Sequence, residues 1–220
     1  VMCGIMDMFA SMFGKKGHVI KLDYRSLEYE FKPFKLEGFK IVLFNTNVKH
    51  ALAESAYNNR RQQCEQGVAW IKEFHPQVNS LRDATIGMLD QHVAGKDEIV
   101  YRRCRYVVEE IQRVTTACDA LEKGDIPALG IQMFATHEGL SKMYEVSCKE
   151  LDYLVDAVKD NKNVLGARMM GGGFGGCTIN LVKEEAIDEL TAAIAEGYKD
   201  KMQLALTAHT AIIEDGTRLL

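Results

Sequence analysis

Apolar positions along this chain follow two periods, and the alternation between them predicts the elements. Val100, Cys104, Val107, Val108, Ile111, Val114, Cys118 and Leu121 recur at steps of three and four, which predicts one long amphipathic helix. Gly124 stops it, and Asp125 is placed to cap the next helix. A helix from about Leu52 carries Cys64, Val68 and Ile71 on one face. Ser147 and Glu150 have the spacing of a capping box before Leu151, Leu154, Val155 and Val158. A last helix presents Ile187, Leu190, Ile194, Tyr198 and Met202. Strand patterns occupy residues 18–23, 27–31, 39–45, 164–169, 177–182 and 207–214, and residues 1–16 read as a glycine turn and a short helix.

Taken in order, these elements predict an α+β fold with helices packed on a mainly antiparallel sheet. A dinucleotide-binding order is excluded, because the glycine run at 171–176 joins strand to strand rather than strand to helix. The 220 residues are 47% hydrophobic, enough for a substantial core. Lys and Arg number 27 against 31 acids, so nothing electrostatic favours nucleic acid as a partner. No apolar run approaches membrane-spanning length, and the opening segment lacks a signal-peptide pattern. That segment is apolar and uncapped, and we read it as a truncation. Six cysteines without CxxC spacing point to reduced thiols and a cytoplasmic location. His92 and His137 lack metal-ligand spacing and are expected on a helix surface or in the core.

Three segments could carry chemistry. In Gly171-Gly172-Gly173-Phe174-Gly175-Gly176, five glycines in six residues are costly to order. Either the backbone turns through positive φ, or another surface approaches the main chain. We favour approach by a ligand over a plain hairpin, although no Lys-Ser/Thr pair follows to make a Walker A loop. Asp7 is the sole acid in the first 22 residues. It is either a solvated helix carboxylate or a functional acid in a partly dry cleft. Residues 55–65 are dense in hydrogen-bonding groups, and Tyr57 could place a ring and hydroxyl against a sugar. The arginines there read as a solvated face with pairs such as Arg61–Glu65. Arg102, Arg103 and Arg105 are expected to pair with Glu109 and Glu110 in the same way.

The strings CGIMDMFAS, GHVIKLDYRSLE, NTNVKHALAESAYNNRRQQCE, RRCRYVVEE, YEVSCKELDYLV and GARMMGGGFGGCTINLV together resemble the galactokinases, in that family's order and spacing. GGGFGG is like the third motif of the GHMP kinases generally. The resemblance implies ATP-dependent phosphorylation of the anomeric hydroxyl of galactose. It implies that Asp7 is the active-site aspartate, that Gly4 and Tyr57 contact sugar, and that Gly171, Gly172, Gly173, Gly175 and Gly176 line the cleft. It also implies that residues 1–32 are a remnant of an N-terminal domain and 33–220 the C-terminal domain, with Pro33 at the crossing. ATP and Mg2+ are then held mainly by a missing N-terminal part, no metal ligand is expected in this chain, and the chain alone is expected to be inactive. Met8 and Met170 depart from the family's usual Gln and Thr. A galactose and ATP sensor without turnover, or a kinase for a related sugar such as N-acetylgalactosamine, remains the alternative.

Overall fold

A computed structural model describes residues 4–48 and 53–217. The elements run α1 (Met6–Phe13), β1 (His18–Leu22), β2 (Tyr29–Pro33), β3 (Phe39–Asn45), α2 (Ala53–Lys72), α3 (Ile86–His92), α4 (Glu98–Lys123), α5 (Ile126–Lys142), α6 (Lys149–Lys159), β4 (Val164–Met169), β5 (Cys177–Lys183), α7 (Ile187–Met202) and β6 (Thr207–Ala211). Strands β1 and β2 form an antiparallel hairpin. The other four make a second sheet in the order β4-β5-β3-β6, antiparallel throughout.

Alternation along β3 and β5 sends side chains to both faces of that sheet. Val42, Phe44 and Val182 point to the face covered by α6 and α7, where they meet Leu154, Val155, Ile194 and Tyr198. Ile41 and Leu181 point to the opposite face, against Met133 of α5 and Leu121 at the end of α4. A separate helical core joins α2, α3 and α4 through Ile71, Leu89, Val93, Val100 and Cys104. The predicted α+β class is therefore observed, with the sheet sandwiched between helices.

Most expected boundaries hold. Gly124 ends α4 in a left-handed conformation, and Asp125 accepts the amide of Ala128 to start α5. Four details differ. The closing strand β6 stops at Ala211 rather than 214, where its pairing with β3 ends opposite Ile41. The second strand begins at Tyr29 because Leu27, at φ 62, is spent in the preceding turn. Helix α6 starts on Cys148 and has no side-chain cap, so Ser147 and Glu150 form no capping box. Helix α3, capped by Thr85, is too short to show a period in the sequence.

Candidate functional site

Helix α1 holds Asp7 in its first turn, where a carboxylate suits the helix dipole. At eight residues, with none buried, α1 cannot stand by itself. Phe9 and Phe13 stack on each other and lie against Tyr29 of the hairpin. Its far end is clamped by the chain's last described segment. The amide of Thr217 donates to Ser11 O at 2.8 Å, and that of Gly216 to Gly14 O at 2.8 Å. Lys16 donates its amide to Asp215 and reaches Glu214 with its ammonium.

The turn between β1 and β2 presents Tyr24. Asp23 organises this turn by accepting the amides of Arg25 and Ser26 at 2.7 and 3.2 Å. The same carboxylate receives Arg82 Nη1 at 2.7 and 2.6 Å, while Arg25 donates to Ser80 and Asp83. These crossed pairs fasten the hairpin to the 3-10 turn Leu81–Asp83. Arg82, with the two turn amides, holds the Asp23 carboxyl down at about 2.

Tyr24 stands exposed in the turn between β1 and β2. Its phenol is pushed above the ordinary range by burial first, and then by the electrostatic influence of Asp7. Asp7 on α1, Tyr24 in the hairpin turn and Tyr57 on α2 are each exposed. Tyr57 also bears on Tyr144, whose phenol is raised chiefly by burial. Gly4 lies exposed just before α1, with no atom near the place a Cβ would take. Sequence reasoning does not find Tyr24, because nothing local distinguishes it from any turn tyrosine.

The glycine run connects β4 to β5. Gly171, Gly173, Gly175 and Gly176 all have positive φ, and so does Phe174. Met170 donates its amide to Cys177 O at 2.9 Å and closes the loop. Its outer end is fixed by Phe174, whose amide donates to Val146 O at 2.7 Å and whose ring packs with Val146, Leu151 and Met169. A Cβ at Gly173 would overlap that same Val146 oxygen. Gly171 and Gly172, by contrast, have nothing within 4 Å of a Cβ. On the inner side Thr46 donates its amide and hydroxyl to Gly176 O at 2.9 and 2.8 Å, and Tyr198 donates to Thr46 O at 2.8 Å. His137, buried under the loop's entry, accepts the amide of Met169 on Nδ1 at 3.1 Å and faces Asp152 with Nε2 at 3.2 Å.

The arginines depart from expectation. Arg61 pairs with Glu65, and Arg105 with Glu109, as the helix spacing predicts. Arg102 and Arg103 instead meet Glu145, and Arg60 donates to the carbonyls of Tyr144 and Glu145. No group of three or more His, Cys, Asp or Glu that could hold a metal occurs among the described residues. A cavity of about 630 Å³ lined by Pro33, Leu36, Phe39, Leu121, Ile126 and Leu165 opens at the other end of β3 from the glycine loop, and no candidate residue lines it.

The family profile described as GHMP kinases C terminal matches residues 117–200. The galactokinase of Thermotoga neapolitana is 42% identical over 218 residues, covering 99% of this chain and 60% of the relative. That of Exiguobacterium sibiricum is 38% identical over 215 residues, covering 98% of this chain and 55% of its own length. The crystal structure of Lactococcus lactis galactokinase complexed with galactose superposes with a TM-score of 0.92 at 33% identity, over 100% of this chain and 57% of that one. The family profile thus covers 84 of the 220 residues, within the stretch from the end of α4 to the end of α7. The chain spans about 60% of the length of the Thermotoga relative. Homoserine kinase from Cytophaga hutchinsonii, at 13% identity and a TM-score of 0.57, shares the fold of this chain. No helix among the described residues is long and apolar enough to cross a membrane.

Proposed function

We propose that this chain is the C-terminal part of a galactokinase, which transfers the γ-phosphoryl group of ATP to the anomeric hydroxyl of galactose. The observation that carries this reading is that the whole chain superposes on a galactokinase, with Asp7 at the head of α1, Tyr57 on α2 and the glycine-rich turn between β4 and β5. A TM-score of 0.92 to a galactokinase complexed with galactose supports it. Residues 1–32 then belong to the N-terminal domain and 33–220 to the C-terminal domain, with the cleft between them.

In this reading Asp7 faces the reacting hydroxyl and takes up or orients its proton. An anomeric hydroxyl is a poor nucleophile until its proton is drawn away. Gly4 and Tyr57 contact the sugar. The open crest at Gly171 and Gly172 leaves backbone free to approach phosphate oxygens. Phosphoryl transfer otherwise depends on positioning and charge neutralisation. Mg2+ and ATP are assigned mainly to other parts of the full-length protein, as the resemblance to the galactokinases implies.

The test is Asp7→Asn in the full-length protein. Its kcat should fall by about 10²–10⁴, while calorimetric galactose binding stays near wild type. Wild-type turnover in the variant would return Asp7 to a solvated helix carboxylate.

A further inference from the structure

The proposed reaction leaves one acidic residue and three arginines without a role. Glu145 lies in the turn between α5 and α6 at φ 56, a conformation that side chains other than glycine seldom adopt. Arg102 Nη2 donates to its Oε1 at 2.6 Å, and Arg103 Nη2 to its Oε2 at 2.8 Å. Arg60 grips the same turn by its backbone, with Nε on Tyr144 O at 2.7 Å and Nη2 on Glu145 O at 2.8 Å. The hydrogen bond from Arg103 holds the Glu145 carboxyl below the usual carboxylate range.

This is not an ordinary surface ion pair. The Arg103 side chain is only 5% exposed. Its Nε and Nη1, and the Nε of Arg102, are buried without a hydrogen-bond partner in the protein. Desolvated guanidinium groups with unmet donors are unfavourable unless the arrangement secures something else. The residue next to Glu145 is Val146. Its carbonyl receives the Phe174 amide and occupies the space beside Gly173.

We propose that Glu145 is a positioning residue. Held by Arg102 and Arg103, it sets the turn 143–148, and the Val146 carbonyl in turn sets the height of the glycine-rich loop. Arg60 ties that turn to α2, three residues from Tyr57, so the wall assigned to sugar and the loop assigned to phosphate share one anchor. The inference rests on the galactokinase reading for its effect on turnover, but its structural half stands on the chain itself.

Backbone amide exchange in the 220-residue chain tests that half. Glu145→Gln should speed exchange at Phe174 by about 10-fold more than at the amides of β3. Glu145→Asp, which keeps two oxygens for the arginines, should restore Phe174 to within about threefold of wild type. Equal acceleration at Phe174 and β3, or none at Phe174, would overturn the proposal and leave Glu145 a general stability residue. If the Gln variant does not fold, Arg60→Lys is read by the same ratio, since lysine loses the two-carbonyl grip. In the full-length protein Glu145→Gln should lower kcat by about 10–100-fold with the galactose KM within about threefold of wild type. A raised KM with unchanged kcat would also overturn it. Absence of galactose phosphorylation in the wild-type protein would sink the reaction and leave the exchange result to judge the anchor.

Discussion

Gly172 and Gly173 stand side by side and lack side chains for different reasons. At Gly173 the obstacle is internal, since a Cβ would strike the Val146 carbonyl and φ is 90. Replacing it damages the fold as well as the site, so it cannot separate the two. Gly172 has no positive φ and no neighbour within 4 Å of a Cβ, and the chain itself places no demand on it. Gly172→Ala should therefore change stability by no more than about 0.5 kcal/mol. It should lower kcat/KM for ATP in the full-length protein by about 10-fold or more, because the added methyl stands where phosphate oxygens would approach the backbone. Unchanged kinetics in the variant would reduce this crest to hairpin geometry. The glycine run shows in the sequence that something must come close or that φ must turn positive, and both hold. It cannot show that the close neighbour is Val146, because a contact so distant along the chain leaves no local pattern. The same limit explains Arg102 and Arg103. Helix spacing offers Glu109 and Glu110 as partners, while the turn that delivers Glu145 is set by tertiary packing.

At the level of elements, the strongest patterns were legible and the shortest were not. The stripe from Val100 to Leu121 and the apolar run 39–45 became α4 and β3: α4 buries Val100, Cys104 and Val108 towards one end and Cys118 and Leu121 at the other, with Ile111 and Val114 exposed between them, and β3 buries Ile41, Val42 and Phe44. Helix α3 has two turns and one buried residue, too little for a period to register. The hairpin turn that carries Tyr24 is docked through charged pairs. Its anchor is the Asp23 carboxylate, depressed from 3.8 to about 2 first by Arg82 and then by the amides of Arg25 and Ser26. A depressed carboxylate contributes fully above its unfolded value and loses its contribution as pH falls through its folded value. The docked turn should therefore be intact above about pH 4 and loosen towards about pH 2. Side-chain carboxyl shifts followed by NMR should give an Asp23 midpoint near 2 in wild type. Arg82→Met should move that midpoint towards 3.8, and an unmoved midpoint would mean that the turn amides alone hold the charge.

Over the whole molecule, the first and last described segments hold each other. Residues 214–217 supply the bonds at the end of α1, and those bonds are exposed. Each contributes about 0.5–1.5 kcal/mol at most, whereas the large cores lie elsewhere. Removing residues 214–220 should leave the melting temperature within several degrees of wild type. It should raise amide exchange in α1 by about 10-fold or more, because an eight-residue helix is not stable without a partner. Full protection of α1 in the shortened chain would assign its stability to the Phe9, Phe13 and Tyr29 contacts instead. The clamp also sets a timetable for synthesis. Strand β3 pairs with β5 and β6, both made far later, so at ribosomal rates of about 5–20 residues per second it waits on the order of ten seconds for its neighbours. Helix α1 waits longer still, until residue 217 has left the exit tunnel. During that interval the carbonyls of Ser11 and Gly14 are without the amides of Thr217 and Gly216 that hold the end of α1 in the finished fold.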